Sequence, residues 1–453
     1  MIMKEKTTNP RLLALKTLMS AERQGKYINL ASDISIKGAD MSETDTALFT
    51  SLVYGVTERK ITLDHVISCM ATKGTKHIEP RVLCMLRLGL YQLIYLDKIP
   101  SHAAVNETVG MCQSKGERSF VNAILRNYIR DGARRVSFPD KEKEPTKHLS
   151  LTYSVPAWIC DSLVSDYGFE NAEGILSAFS GEAPSATLRV NTLKTTREAF
   201  CRALAQAGTE SRETSYSSAG VKLSEGAKIT ALSGFDGGEF FVQDEASQIC
   251  IEVLSPKPDE TVIDTCSCPG SKSFGAAIEM QNKGKVFSFD LHENKLSLVE
   301  KSALRLGITI IECETRDGRN PNEKLYGKAD RVICDVPCSG FGVMAKKPDI
   351  RYKRKEDVEA LAPLGASILG ESAKYLKDGG VLVYSTCTLR REENEEVVEA
   401  FLSTHPDFSL VAFEIKSKSE HTPDIKSEGM LTLMPHVHKT DGFFIAKLQK
   451  SKG

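Results

Sequence analysis

The sequence predicts a multidomain chain: an all-α N-terminal bundle, a small α+β middle module and a C-terminal α/β domain. Three observations carry this. Up to about residue 130 apolar residues recur only at three- and four-residue spacing, the period of amphipathic helices. Between about 151 and 235 the pattern becomes strand, helix, strand. From about 240 onward short β-rich runs alternate with helical stretches, which implies a doubly wound parallel sheet covered on both faces. A length of 453 residues suits about three domains of roughly 150 residues each.

The bundle helices are PRLLALKTLMSAERQ, DTALFTSLVYGVTERKITLDHVI, EPRVLCMLRLGLYQLIYL, SHAAVNETVGMCQ and RSFVNAILRNYIR, with Ser, Asp or Pro available at their starts. Their basic residues Arg11, Lys16, Arg59, Lys60, Arg118, Arg126 and Arg130 offer an RNA-facing side, against the plainer reading of solvated outer faces. Residues 131–150 mix Pro with dense charge and no periodicity, which reads as a linker. The middle module opens with the helical YSVPAWICDSLVSDYG and continues with ATLRVNT, TREAFCRALAQAG and AGVKLSEG. The last domain has strands TVIDTCS, KVFSFD, ITIIECE, ADRVICDV and GGVLVYSTCT, helices between them, a polar insertion KSKSEHTPDIKSEG and a final strand GFFIAKLQK.

Composition excludes several classes. The chain is 41% hydrophobic and 26% charged, the balance of a soluble globular protein. The longest apolar stretch, VLCMLRLGLYQLIYL, is cut by Arg87 and too short to cross a bilayer, and the N-terminus lacks a secretory pattern. Twelve scattered cysteines fit a reducing compartment, so a cytoplasmic protein is expected, and a monomer is expected as well. Cys266 and Cys268 have one residue between them and no second pair stands at structural-zinc spacing, so no metal is expected. The net charge of −1 announces no nucleic-acid partner, which local basic patches would have to hold.

Chemistry concentrates at the predicted strand tips, where open α/β sheets bind ligands. The first strand of the last domain runs into DTCSCPGSK, where Gly270 permits close backbone approach, Pro269 stiffens the turn and the next helix offers free N–H groups. Asp290 ends the second strand, where an acid accepts both ribose hydroxyls; Asp317 follows the third strand and Asp335 ends the fourth. Three carboxylates repel a pyrophosphate and suit a ligand carrying adenosine and positive charge, favouring S-adenosylmethionine over NAD or ATP. Cys338, in DVPCSGFG, and Cys387, in YSTCTL, follow the fourth and fifth strands. An unpaired cysteine is commonly a core residue, but the turn around Cys338 and the polar collar around Cys387 interrupt both apolar runs.

Together DTCSCPGSK, FSFD, TRDGR, DVPCSGFGVMAKKPDIR and YSTCTL resemble the RNA cytosine-C5 methyltransferase family. SHAAVNETV, SFVNAILR, LRVNTLK, EFFVQDEASQ and MPHVHKTDGFF narrow the resemblance to its RsmB (Sun) type. It implies a NusB-like helical RNA-binding domain over 1–140, a small α+β RNA-binding module over 151–235 and a Rossmann-like methyltransferase domain over 236–450. The implied reaction is methyl transfer from S-adenosylmethionine to C5 of a cytosine in 16S ribosomal RNA, of the cytosine-967 type. Carried over by motif, Cys387 is the nucleophile and Cys338 assists release; Asp335, two residues before Pro337, is placed to hydrogen-bond the pyrimidine edge and assist ring protonation. Cys266, Ser267, Cys268, Pro269, Gly270, Ser271 and Lys272, with Asp290, Asp317 and Asp335, hold the cofactor. The loop departs from the family's C-A-A-P-G-G-K at Ser267, Cys268 and Ser271.

The chemistry needs these residue types. C5 of cytosine is too weakly nucleophilic to take a methyl group until a thiolate has added to C6. A splayed base in RNA exposes both ring faces, and Lys346, Lys347, Arg351, Lys353 and Arg354 stand ready for phosphates. Arg390 and Arg391, just beyond Cys387, read as solvent-facing. Spacing alone does not order the two thiols; a DNA cytosine methyltransferase would use Cys338, and other open readings are another rRNA or tRNA site or a non-catalytic RNA-binding assembly protein.

Overall fold

The computed structural model describes residues 9–25, 27–181, 185–224, 226–419 and 422–452. Residues 1–8 of the N-terminal stretch and residues 420 and 421 of the polar insertion lie outside these. Two compact units emerge, one formed by residues 1–180 with 346–352 and the other by 181–345 with 353–453.

The first unit is helical: α1 (Pro10–Gln24), α2 (Ile28–Lys37), α3 (Glu43–Glu58), α4 (Lys60–Met70), α5 (Pro80–Tyr95), α6 (Ser101–Gly110), α7 (Lys115–Arg135), α8 (Pro145–Tyr153) and α9 (Ala157–Phe179). Local chemistry sets the ends. Asn9 accepts the N–H groups of Arg11 and Leu12 ahead of Pro10, Ser42 caps α3 and Glu79 caps α5 ahead of Pro80, each satisfying donors that a first turn leaves unpaired. Phe49, Leu52, Val53, Leu63, Ile67, Met85, Leu88 and Leu125 form the fully buried core. The long second helix of the sequence reading is broken at Arg59, whose guanidinium bonds the Ser180 carbonyl at 2.7 Å and lies over Tyr95. The expected linker is largely helical: α7 runs on to Arg135, and Pro145 opens α8 at the one position where a helix accepts proline.

Residues 346–352 pack into this helical unit, and one expectation fails there. Arg351 is fully buried, and its Nη1 donates to the carbonyls of Glu58 at 2.9 Å and Ser154 at 3.2 Å. Helix ends leave such carbonyls unpaired, and a guanidinium satisfies them. Arg351 therefore serves α3 and α8, not phosphate. Tyr352 donates to the Thr57 carbonyl and Asp349 accepts the Ile28 N–H.

The second unit opens with β1 (Thr187–Val190), α10 (Arg197–Gln206), β2 (Ser211–Glu213), β3 (Gly220–Leu223) and β4 (Phe240–Val242), an antiparallel sheet in the order β2-β3-β1-β4. Then come α11 (Glu245–Leu254), β5 (Thr261–Asp264), α12 (Ser271–Glu279), β6 (Lys285–Asp290), α13 (Glu293–Leu306), β7 (Ile311–Thr315), β8 (Ala329–Asp335), α14 (Lys355–Glu359), α15 (Leu361–Lys374), β9 (Leu376–Thr386), α16 (Glu395–Thr404), β10 (Phe408–Leu410), β11 (Phe413–Ile415), β12 (Ile425–Ser427), β13 (Met430–Leu433), α17 (Pro435–His438) and β14 (Phe443–Lys450). The large sheet runs β10-β14-β9-β8-β5-β6-β7, with β13 also on β14. The strands β9, β8, β5, β6 and β7 are parallel, as expected. The final strand is antiparallel to β9, so the sheet is mixed, and β11 with β12 makes a hairpin in the polar insertion. The order reverses at β5, between β8 and β6, which opens a crevice beyond the carboxyl ends of these strands.

Candidate active site

The loop after β5 is tied to its neighbour by the Ser267 N–H, which donates to the Phe289 carbonyl at 2.7 Å. Gly270 has φ 101°, and a Cβ there would lie 2.5 Å from the Phe274 ring, so only glycine fits the turn into α12. Burial raises the Cys266 thiol well above the usual cysteine value, while burial and then the Asp290 charge push Cys268 up to about 12. Neither is ionised near neutrality, and both are loop-packing groups. Ser271 takes part through its carbonyl, which accepts the Gln243 side-chain amide.

The three strand-tip acids differ in their surroundings. Asp290 accepts main-chain N–H groups, from Cys268 at 3.3 Å and His292 at 3.0 Å. Asp317 is clasped by the Arg319 guanidinium at 2.5–3.1 Å, whose hydrogen bonds lower its carboxyl to about 2. Asp335 accepts the Lys272 ammonium at 2.7 Å and the Ser385 hydroxyl at 2.7 Å. The field at the sheet edge is thus weaker than that of three unpaired carboxylates, because Arg319 and Lys272 offset two of them. Lys272 itself is 7% exposed and lies 5.1 Å over the Phe443 ring. Burial works against its charge, but the Asp335 carboxylate outweighs burial and raises its pKa.

The loops after β8 and β9 bring the two remaining sequence candidates together: Cys338 Sγ stands 3.3 Å from Cys387 Sγ, and both residues are half-buried. The Gly342 N–H donates to the Cys387 carbonyl at 2.9 Å, and Lys353 holds the Ser339 carbonyl at 2.8 Å. The Cys338 thiol is raised well above its ordinary value, by its hydrogen bond to Cys387, by burial, and by the charges of Cys387 and Glu393. The basic set predicted for phosphates divides. Lys347 and Arg354 are exposed, Arg354 pairing with Asp357, whereas Lys353 is spent on loop carbonyls. Arg390 is 8% exposed and pairs with Glu392, contrary to the solvent-facing expectation; Arg391 is exposed.

Three family models match the chain: the 16S rRNA methyltransferase RsmB/F model over residues 251–449, the NusB family over 8–130 and an RsmF/B-like ferredoxin-like domain over 155–230. A Bacillus subtilis protein described as "probable ribosomal RNA small subunit methyltransferase B" is 41% identical over 98% of this chain and 99% of its own length. The chain belongs to the RsmB/F family of 16S rRNA methyltransferases. Among solved structures, PH0851 is 26% identical with a TM-score of 0.77, covering 99% of this chain and 100% of that one. A methyltransferase homologue from Pyrococcus horikoshii is 28% identical with a TM-score of 0.59, covering 68% and 99%.

This RsmB/F enzyme takes its methyl group from S-adenosylmethionine, and the residues at the sheet edge fit that molecule. Asp290 keeps lone pairs for hydroxyl groups beyond the two N–H groups it accepts, and the buried Ser267 Oγ has no hydrogen-bond partner among the described residues. Glu393, Asn394 and Tyr384, which surround the cysteines, escaped the sequence reading. Glu393 and Asn394 sit in the run REENEE, whose charge density resembles a solvated helix start; the signal that marks them is their position six and seven residues after Cys387.

Proposed function

We propose that this enzyme methylates C5 of a cytosine in 16S ribosomal RNA, of the cytosine-967 type, through a covalent adduct of Cys387 with C6. The observation that carries the reading is the 3.3 Å pair of thiols beside the Lys272–Asp335 ion pair at the carboxyl edge of the sheet. Lys272 and Cys387 interact electrostatically, so the ammonium favours the thiolate form of Cys387. The family motif orders the pair, with Cys387 as nucleophile and Cys338 as the group that assists release.

Bound S-adenosylmethionine, on this reading, is held by the 266–272 loop, Asp290, Asp317 and Asp335 and supplies an electrophilic methyl group. The Cys387 thiolate adds to C6, making C5 an enamine carbon. Asp335, its two oxygens fixed by Lys272 and Ser385, bonds the pyrimidine edge and assists ring protonation. After methylation Cys338, as its thiolate, takes the C5 proton, and the C5–H electron pair restores the C5–C6 double bond as the C6–S bond breaks to free Cys387 as a thiolate. The exposed Arg354 takes a phosphate of a splayed strand. Twelve free thiols suit the reducing cytoplasm proposed for the enzyme.

Bisulfite sequencing of unmodified 16S rRNA after incubation with the protein and S-adenosylmethionine tests the reaction. One cytosine is expected to become resistant to conversion. Methyl incorporation with every cytosine still converting would exclude C5 as the acceptor.

A further inference from the structure

Two buried polar residues at the start of α16 have no part in the steps above. Asn394 is fully buried; its Oδ1 accepts the Thr386 hydroxyl at 2.5 Å and its Nδ2–H donates to the Thr388 carbonyl at 3.1 Å. One amide thus grips the chain on both sides of Cys387. Glu393 is 1% exposed. Its Oε2 accepts the Ser339 N–H, next to Cys338, at 2.7 Å, and its carbonyl accepts the Tyr384 hydroxyl at 2.6 Å. Ser339 Oγ and Thr388 Oγ1, 2.6 Å apart, join the two grips. Burying a carboxylate is costly unless it is paired and hydrogen-bonded; here one oxygen takes the Ser339 N–H and the other lies 3.9 Å from Arg390 Nε.

We infer that Glu393 is a positioning residue for Cys338: with Asn394 it clamps the Cys338 loop to the strand tip bearing Cys387 and so sets the separation of the two thiols. The inference rests on the two-cysteine reading above. It assigns the effect to the reach of the side chain rather than its charge. Glutamine offers the Ser339 N–H an amide oxygen at the same distance, whereas aspartate keeps the charge but falls short by about 1.5 Å, one carbon–carbon bond.

The test uses the full chain with Glu393→Gln, Glu393→Asp, Tyr384→Phe and Cys338→Ala, a 16S rRNA fragment and S-adenosylmethionine, reading the first turnover, steady-state turnover and protein–RNA adduct on a denaturing gel. In Glu393→Asp the first turnover is expected to stay within about twofold of the parent while steady-state turnover falls at least about tenfold and adduct accumulates, as in Cys338→Ala. Glu393→Gln is expected to turn over within about threefold of the parent without adduct, and Tyr384→Phe, which frees the Glu393 carbonyl, to slow release by about threefold. Release at the parental rate in both Glu393→Asp and Tyr384→Phe overturns the inference, as does a Glu393→Gln protein that stalls like Glu393→Asp. Absence of adduct in Cys338→Ala itself would bring down the two-cysteine reading, and the inference with it.

Discussion

Asp264, at the tip of β5, is fully buried with one oxygen on the Ser273 hydroxyl at 2.6 Å, and burial pushes its carboxyl from 3.8 up to about 7. Between those values the folded chain holds a proton that the unfolded chain has released. Stability therefore falls as pH rises through this window and stays lower above it. Thermal unfolding between pH 5 and 8 is expected to show the parent losing Tm relative to Asp264→Asn; a difference constant across pH would contradict the buried ionisation. Asp290 carries the second residue-scale expectation. Asp290→Ala is expected to weaken S-adenosylmethionine binding by about 1.5–3 kcal/mol, the worth of hydrogen bonds to a charged group, and unchanged affinity by calorimetry would remove it from the site. At this scale residue types at strand tips were legible: Asp290, Asp335, Cys338 and Cys387 all stand at the sheet edge. The partners of charged side chains were not. Lys272 reaches Asp335 and Arg351 enters helix-end carbonyls, because such contacts join positions 63 and 293 residues apart.

The loop carrying Cys338 is held by close backbone contact as well as by side chains. A Cβ on Gly342 would lie 1.8 Å from the Gly442 carbonyl oxygen and 2.9 Å from that of Cys387, so the loops after β8 and before β14 meet through glycine alone. Gly342→Ala is expected to destabilise by about 1–3 kcal/mol, the cost of overpacking, and to lower methylation with it. Gly110→Ala, at the end of α6, meets nothing within 4 Å and is expected to be neutral or stabilising by up to about 1 kcal/mol. Denaturant unfolding of the pair checks both, and equal stability would contradict the contact. Elements with a strong period were legible: the sequence places α1 and the five parallel strands. Short edge elements such as β2, β10 and β13 were not, since three or four residues give no period and their pairing comes from β3 and β14. In α2 only Ile28, Ala31 and Ser32 are buried while Leu30 and Ile34 are exposed, so its apolar pattern does not mark its packed face.

The family resemblance spans nearly the whole chain, but charge is distributed unevenly within it. Of the seven basic residues offered as an RNA-facing side, Arg11, Arg59 and Lys60 are bonded to Gln92, Ser180 and Glu22; Lys16, Arg118, Arg126 and Arg130 are exposed. Substituting Arg118, Arg126 and Arg130 by Gln in the full chain is expected to weaken 16S rRNA binding and reduce the slope of log affinity against log salt by about 2, since each phosphate contact contributes roughly 0.7 on single strands. An unchanged slope would make α7 a structural face only. The whole account turns on which thiol attacks, and one comparison decides it: Cys387→Ala beside Cys338→Ala, each with 16S rRNA and S-adenosylmethionine, read on a denaturing gel. The account expects no adduct and no methylation from Cys387→Ala, and from Cys338→Ala a methylated protein–RNA adduct that persists. An adduct formed by Cys387→Ala and absent from Cys338→Ala would contradict it and make Cys338 the nucleophile.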